Sequence, residues 1–314
     1  MHPALSVIAF TSLSGAGYGL LFLLSLGSLL QFSWGADRLV LGIGIALALG
    51  LIVLGLLAST QHLRRPERAW RAFSQWRSSW LSREGVLAVF TFLPAGLLFL
   101  TRPLLDSAGW FPLACALLAA AGAAATVFAT AMIYASLKTV RQWHRPKVPF
   151  LYLLMGLATG GAFLALLLSF EVGGSGASYV AAGLVALTWL VKRSYWHDID
   201  SAAPVATLES AIGLGRIGKV RSLEPPHTGQ NYLLAEMGYR VARKHAAKLR
   251  LIAQGLGLAA VVMLAIAASI GPGWGHFIFA LPAASAALAS AAAERWLFFA
   301  EATHSVSLYY GKAA

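Results

Sequence analysis

A chain of 314 residues that is 58% hydrophobic and only 11% charged, with a mean hydropathy of +0.71, lies far from soluble domains, which are about 45–50% apolar and about 25% charged. It is read as an integral membrane protein. The net charge of +12 argues for no nucleic-acid partner, because the Lys and Arg residues fall in connections between apolar runs, where membrane topology accounts for them. The single cysteine, Cys115, excludes an internal disulfide and a cluster held by four thiolates of this chain; it reads as a small packing residue.

Eight apolar runs follow in chain order, at Leu5–Leu30, Leu39–Thr60, Gly85–Leu100, Trp110–Leu137, Pro149–Phe170, Ala177–Val191, Leu251–Ile270 and Trp274–Thr303. The third and sixth are short. The runs do not alternate and exceed barrel-strand length, so helices are the spanning element that satisfies the backbone in lipid. Met1-His2-Pro3 is not basic and the first run is too long for a signal peptide, which predicts a retained helix. The expected architecture is an all-α bundle of eight transmembrane helices, one integral membrane domain over residues 1–314. A longer soluble connection, 192–250, joins helices six and seven. A helix opening at Asn231 is expected to run from that connection into helix seven.

The connections alternate in charge. Those at 62–84, 137–148 and 192–250 carry net +4, +4 and +5, whereas those at 31–38, 101–109, 171–176 and 271–273 are neutral or −1. Eight spans put the three basic loops and both termini on one face. The positive-inside tendency makes that face cytoplasmic, in the inner membrane. A loop that docks an acidic protein is basic on either side, so docking stays open as a second cause. Glycines are frequent in the apolar runs, and Gly156-x-x-x-Gly160 predicts a close helix crossing.

The stretch HLRRPERAWRAFSQWRSSWLSREG, His62 to Gly85, holds six arginines, two glutamates, three tryptophans and a histidine. On a 100° wheel Trp70, Phe73, Trp76 and Trp80 fall on one side and Arg64, Arg68 and Arg71 on the other. Pro66 suits a first helical position. This is the pattern of a segment lying in the interface, rings at headgroup level and arginines among phosphates, in contact with membrane lipids.

Three further motifs resolve to ordinary roles. Gly213-x-Gly215-x-x-Gly218 lacks a preceding strand, and Pro225-Pro226 soon follows, so a turn is expected rather than a nucleotide loop. Glu301-x-x-His304 has no second copy, as a di-iron bundle would need, and no metal site is expected in this chain. Glu294, on the same helix face as Glu301 and beside Arg295, can form an internal salt-bridged cluster or line a cavity. None of the eight histidines lies deep in an apolar run, so no haem is expected.

The interfacial reading accounts for the Trp and Arg residues but not for His62 and Glu84. His62 closes the second helix and Glu84 opens the third, so both sit at one face, and an ionisable group at the edge of hydrocarbon is a functional candidate. A quinone fits such a pair. Its tail lives in lipid, its head sits near the interface, and its two-electron reduction takes two protons. Imidazole can hydrogen-bond the head, and a carboxyl group can give or take the proton.

Ala58-Ser-Thr-Gln-His62-Leu-Arg-Arg-Pro66-Glu-Arg68-Ala, followed by Ser79-Trp-Leu-Ser82-Arg-Glu84, resembles the signature of the DmsC family. The likeness extends to HPALSVIAFTSLSGAGYGLLF at the start and to LGRIGKVRSLEPPHTGQNYLLAEMGYRVARKHA in the long connection. That resemblance implies a membrane-anchor subunit of a dimethyl-sulfoxide-reductase-type complex. Its partners would be a molybdopterin catalytic subunit and an iron–sulfur subunit, and its cofactor menaquinone or ubiquinone. It also implies that His62 and Glu84 are the quinol-site residues; Arg68, Trp80 and Ser82 complete the candidate binding set. Arg64-Arg65 departs from the family, where a glycine often follows His-Leu. Relatives work on sulfoxides or oxidise sulfite, and the charge pattern favours a cytoplasmic enzyme such as a sulfite dehydrogenase. The competing readings are a purely structural anchor and a small-molecule transporter. Against the latter, Pro94 and Pro282 break helices with no acids beside them.

Overall fold

A computed structural model of the protein describes residues 4–61, 63, 65–202, 207–221, 223, 224 and 241–310. Among those residues the framework is eight long helices: α1 Leu5–Leu29, α2 Arg38–Thr60, α3 Trp80–Phe99, α4 Trp110–Ala135, α5 Lys147–Leu167, α6 Gly174–Ser201, α7 Val241–Ile270 and α8 Trp274–Ala300. Each carries a stretch long and apolar enough to cross a membrane. Among the described residues there is no β-strand, only an isolated bridge between Val140 and His304.

Local chemistry sets the helix ends. Asp37 caps α2, its carboxylate accepting from the Val40 N–H at 2.9 Å, which satisfies one of the donors a helix start leaves open. Gly109 and Gly273 adopt φ of 108° and 130°, a region that favours glycine. Each lets the chain turn sharply into a helix that begins with tryptophan. Trp110 and Trp274 are exposed, as rings at a headgroup boundary are. Pro103 cannot donate to a regular turn, and Leu100–Leu104 widens there into a π-helical turn that extends α3.

Two helices extend well beyond their apolar runs where the sequence predicts no extension. α3 begins at Trp80 rather than Gly85, because the charged first turn is tied down: Arg83 donates to two carbonyls of the preceding segment, that of Trp76 at 3.0 Å and that of Arg77 at 2.6 Å. α6 runs past its apolar stretch to Ser201. Lys192, assigned by sequence to the soluble connection, is therefore a helix residue with almost no exposure. The reason is a stripe at helical spacing, Lys192, Tyr195, Trp196 and Ile199, all buried. The expected helix from Asn231 lies outside the described residues up to Val241, where α7 is in place.

The interfacial segment differs in kind. Pro66–Gln75 is a 3-10 helix rather than an α-helix. With three residues per turn, Trp70 and Phe73 fall on one ridge and Arg68 and Arg71 on another; Arg64, expected with the arginines, lies outside the described residues. The segregation expected of an interfacial element is kept. The Trp70, Phe73 and Trp76 rings are exposed.

α1 lies at the centre, packed on α2, α4, α5 and α8, while α7 and α8 pair with each other and α6 with α5 and α7. Small residues permit the central crossing. A Cβ on Gly19 would strike the Gly156 backbone, and one on Gly160 would strike the backbone of Gly19 and Leu20, the close approach that the glycine spacing predicts. Contacts sort the helix ends onto two faces. On one, Arg38 donates to the Pro103 carbonyl at 3.0 Å and lies 3.5 Å from Asp106, and Gly273 N–H donates to Ser169 O. On the other, Lys147 pairs with Asp198 at 2.6 Å, and Arg250 pairs with Asp200 at 2.5 Å and Glu301 at 2.8 Å. The second face carries the basic connections and is called the basic face below. There Arg141 holds the end of α6 through the Ile199 and Ala202 carbonyls. Trp143 donates to Phe298 O at 2.9 Å, seating the 136–146 connection on the end of α8.

Candidate functional site

Glu84 lies in the second turn of α3, near the basic face, and is buried. Its neighbour is the Thr130 hydroxyl of α4, in hydrogen-bond contact with Oε1. Thr130 also reaches the Thr126 carbonyl at 3.0 Å. A hydroxyl has one proton and two lone pairs, so the contact survives either state of the acid. With Glu84 ionised, Thr130 donates to it. With Glu84 protonated, the carboxyl donates to Thr130, whose own proton turns to the Thr126 carbonyl. Among the described residues no cationic side chain forms an ion pair with Glu84. A carboxyl group in this setting can change protonation without breaking its local structure.

The other candidate residues are distributed around it. Trp80 is one turn before Glu84 on the same helix face. Its ring meets Phe128 of α4 edge-on at 6.0 Å and carries the Arg83 guanidinium at 4.4 Å. Ser82 is buried in the same turn, two positions from Glu84 and so on a different side of the helix. Arg68 sits exposed on the interfacial segment, so the structure joins Trp80 with Glu84 and leaves Arg68 at the surface. Phe73 of that segment packs over Gly85, where a Cβ would meet its ring at 3.0 Å, which brings the segment against the start of α3. His62 lies outside the described residues.

A polar cavity of about 20 Å³ opens between α1, α4, α5 and α8, lined by Ser12, Tyr18, Thr130, Tyr152, Thr159 and Arg295 among others. That is room for one water. The Ser12, Tyr18 and Tyr152 hydroxyls are buried without a hydrogen-bond partner of good geometry among the described residues, although Tyr18 faces Thr126 and Tyr152 faces Arg295. An apolar cavity of about 180 Å³ shares Tyr18, Val127 and Gly156 with it and continues along Phe22, Ala123 and Leu153. A third cavity, about 350 Å³ and apolar, lies near the opposite face around Phe32, Trp34 and Val180.

Across the small cavity sits a charged cluster that is only half legible in the sequence. Glu294 of α8 pairs with Lys192 of α6, and Arg295 is 3.3 Å from its second oxygen. All three are buried. Arg295 stacks at 3.5 Å over the Tyr152 ring, and Lys192 lies 4.1 Å over Tyr195. The pairing of Glu294 with Arg295 follows from their adjacency; Lys192 counts by sequence as a loop charge. The i, i+3, i+4, i+7 stripe from Lys192 to Ile199 is the signal that places it in the helix. Glu301 belongs to a separate ion pair with Arg250. Its carboxyl, just beyond α8, is held above the ordinary 4.5 by burial, opposed by the Arg250 hydrogen bond. The His304 Nδ1 accepts from the Val306 N–H at 3.1 Å, a local contact of the turn that follows.

The glycine motif fits its reading as a turn. Gly213 ends the short helix Leu208–Ile212 with φ of 72°, and among the described residues no strand precedes it. Among the described residues no group of three His, Cys, Asp or Glu side chains could hold a metal. His276 is fully buried in the first turn of α8, near the face opposite Glu84, and shares a hydrogen bond with Ser178 at 2.9 Å.

Comparison with known proteins places this architecture. A family model described as DMSO reductase anchor subunit (DmsC) matches residues 1–299. A sulfite dehydrogenase subunit of Allochromatium vinosum is 32% identical over 333 residues, covering 100% of both chains.

Proposed function

The chain belongs to the DmsC family of DMSO reductase anchor subunits, and from that premise we propose that it binds quinone beside Glu84 and passes electrons between that quinone and an iron–sulfur subunit docked on its basic face. Family membership makes it the membrane anchor of an oxidoreductase complex. In the proposal the catalytic partner is a molybdopterin subunit and the membrane is the inner membrane, with the basic face and the termini cytoplasmic. The relative's name favours sulfite as the electron donor. Sulfite and water would give sulfate, two protons and two electrons, and the electrons would reduce the quinone. Sulfoxide reduction by quinol is the same site run in the other direction.

One observation carries this reading: Glu84 is a carboxyl group buried at the basic end of the bundle whose partner, among the described residues, is a hydroxyl rather than a cation. A buried acid kept for structure is normally ion-paired. One kept for proton transfer needs a partner that tolerates both states, as Thr130 does. The apolar cavity reaching Tyr18 suits an isoprenoid tail. His62, at the other end of the connection, is the proposed second partner of the head. Trp80, on the Glu84 face of α3, forms its near wall, Ser82 supports the same turn from another side, and Arg68 faces the headgroups and the partner.

The test is turnover of the purified complex. Glu84→Gln keeps size and hydrogen bonding but cannot carry the proton. Losing a positioned acid or base costs about 10²–10⁴-fold in rate, so quinone-coupled turnover should collapse by that factor. Assembly, and turnover with a soluble artificial electron carrier, should persist. His62→Ala should raise the quinone KM. Unchanged quinone-coupled rates in Glu84→Gln would remove this residue from the mechanism.

A further inference from the structure

Beyond the quinone site, and resting on that reading of Glu84, we propose that the small polar cavity and the Lys192–Glu294–Arg295 cluster form the proton route between Glu84 and the aqueous basic face. The route has four parts. Thr130 touches Glu84 and lines the cavity. The cavity takes one water, and the three buried hydroxyls of Ser12, Tyr18 and Tyr152 lack good protein partners there among the described residues, which is the setting in which a buried water is held. Arg295 forms the far wall and touches Glu294, which pairs with Lys192. Beyond Lys192, Tyr195 donates to the Gln142 carbonyl at 2.8 Å, and Gln142 lines an open polar pocket with Asp200, Arg250 and Glu301 on the basic face.

A purely structural ion pair does not explain this arrangement well. The cluster holds two cations against one anion inside the membrane, where an uncompensated charge is expensive. Glu301 also acts on Lys192, but it is paired with Arg250; the Glu84 carboxylate, on the Thr130 side of the small cavity, adds a negative charge to this end of the bundle when it is ionised. Arg295 does not release its proton and fixes the field. Lys192 and Glu294 can exchange one proton across their contact without moving net charge out of the pair.

In quinone reduction, two electrons arrive singly from the iron–sulfur carrier. Each of the two quinone oxygens gains one proton, delivered through the Glu84 carboxyl. Lys192 first passes its proton to Glu294 across their contact, and the Glu294 carboxyl then reprotonates the ionised Glu84 through the cavity water and Thr130. The neutral Lys192 amine takes a replacement proton from the basic face. Two protons and two electrons convert one quinone to one quinol, and the route is restored. Quinol oxidation reverses each step.

Two variants of the purified complex test this. Glu294→Gln removes the relay, and Tyr152→Phe removes a cavity hydroxyl while keeping the ring beneath Arg295. Both should lower quinone-coupled turnover, Glu294→Gln at least about tenfold and Tyr152→Phe about threefold, with artificial-carrier turnover unchanged. A small permeable weak acid such as formate should restore part of the loss, because it carries protons past the break, and the solvent deuterium isotope effect should rise. A structural defect would show neither. If Glu294→Gln does not assemble, Tyr152→Phe decides alone. Full quinone-coupled rates in Tyr152→Phe, or a loss without rescue, overturn the route while Glu84→Gln stays inactive. An active Glu84→Gln removes the quinone reading itself.

Discussion

Two carboxylates are buried toward the basic end of this bundle, and their surroundings are opposite. Glu294 has Lys192 on one oxygen and Arg295 near the other, within the α6–α8 half. Glu84 has a threonine hydroxyl, at the α3–α4 hairpin. The first is bound into an electrostatic unit whose members each depend on the others. The second is held by a group that serves it charged or neutral. Burial alone therefore does not set the role of an acid; in the proposed mechanism the partner does, Glu84 meeting the quinone beside a hydroxyl and Glu294 exchanging its proton with Lys192.

The sharpest break of this contrast is truncation of each acid. Glu294→Ala leaves Lys192 and Arg295 buried without their anion, which should cost about 3–5 kcal/mol, read as a large fall in the thermal midpoint of the detergent-solubilised complex. Glu84→Ala strands only a hydroxyl that keeps the Thr126 carbonyl, and should cost about 1–3 kcal/mol. Equal losses would mean that Glu84 has an ionic partner after all.

The wall between the two sites comes next. Gly160→Ala pushes a methyl into the backbone of Gly19 and Leu20, forcing apart α1 and α5, which both line the cavity. Overpacking of this kind costs about 1–3 kcal/mol. Thermal unfolding should fall accordingly, and quinone-coupled turnover with it; an unchanged midpoint would mean that the crossing is looser than described.

The smallest effect extends the contrast to the surface. Glu301 is held above 4.5 by burial, against the lowering pull of Arg250. For an acid whose folded value is raised, the associated stability is full at low pH and is lost as pH rises through that folded value. Arg250→Met removes the lowering partner, so the variant should match the parent in acid and lose stability progressively as pH rises above the carboxylate range. A deficit that grows toward acid instead would contradict the sign.

Most of the framework is legible in the sequence because it follows from one constraint, backbone satisfaction in lipid. The run lengths yield eight helices, and Gly156-x-x-x-Gly160 yields the central crossing. Glu84 can be singled out because it stands at the hinge between a charged segment and an apolar run. The misses share a cause: hydropathy stops where charge begins. Lys192 follows Val191 and counts with the loop, yet a lysine can be buried when a helix on the far side supplies a carboxylate, and no local signal names Glu294 as that partner. Thr130 is invisible for the same reason, being one of several threonines in an apolar helix until α3 packs against it. The 3-10 form of Pro66–Gln75 escapes notice because aromatic spacings of three fit both 100° and 120° wheels.

The central claim is that the quinone head meets Glu84 at the basic end of the bundle. Photolabelling of the complex with an azidoquinone, followed by peptide mapping, tests it directly. Label should fall on α3 around Ser82–Ala88, on α1 around Tyr18 and on α4 around Val127–Thr130, and excess native quinone should compete it away. Competed label on Phe32, Trp34 and Val180 instead would place the quinone in the larger apolar cavity near the opposite face, and would contradict the account.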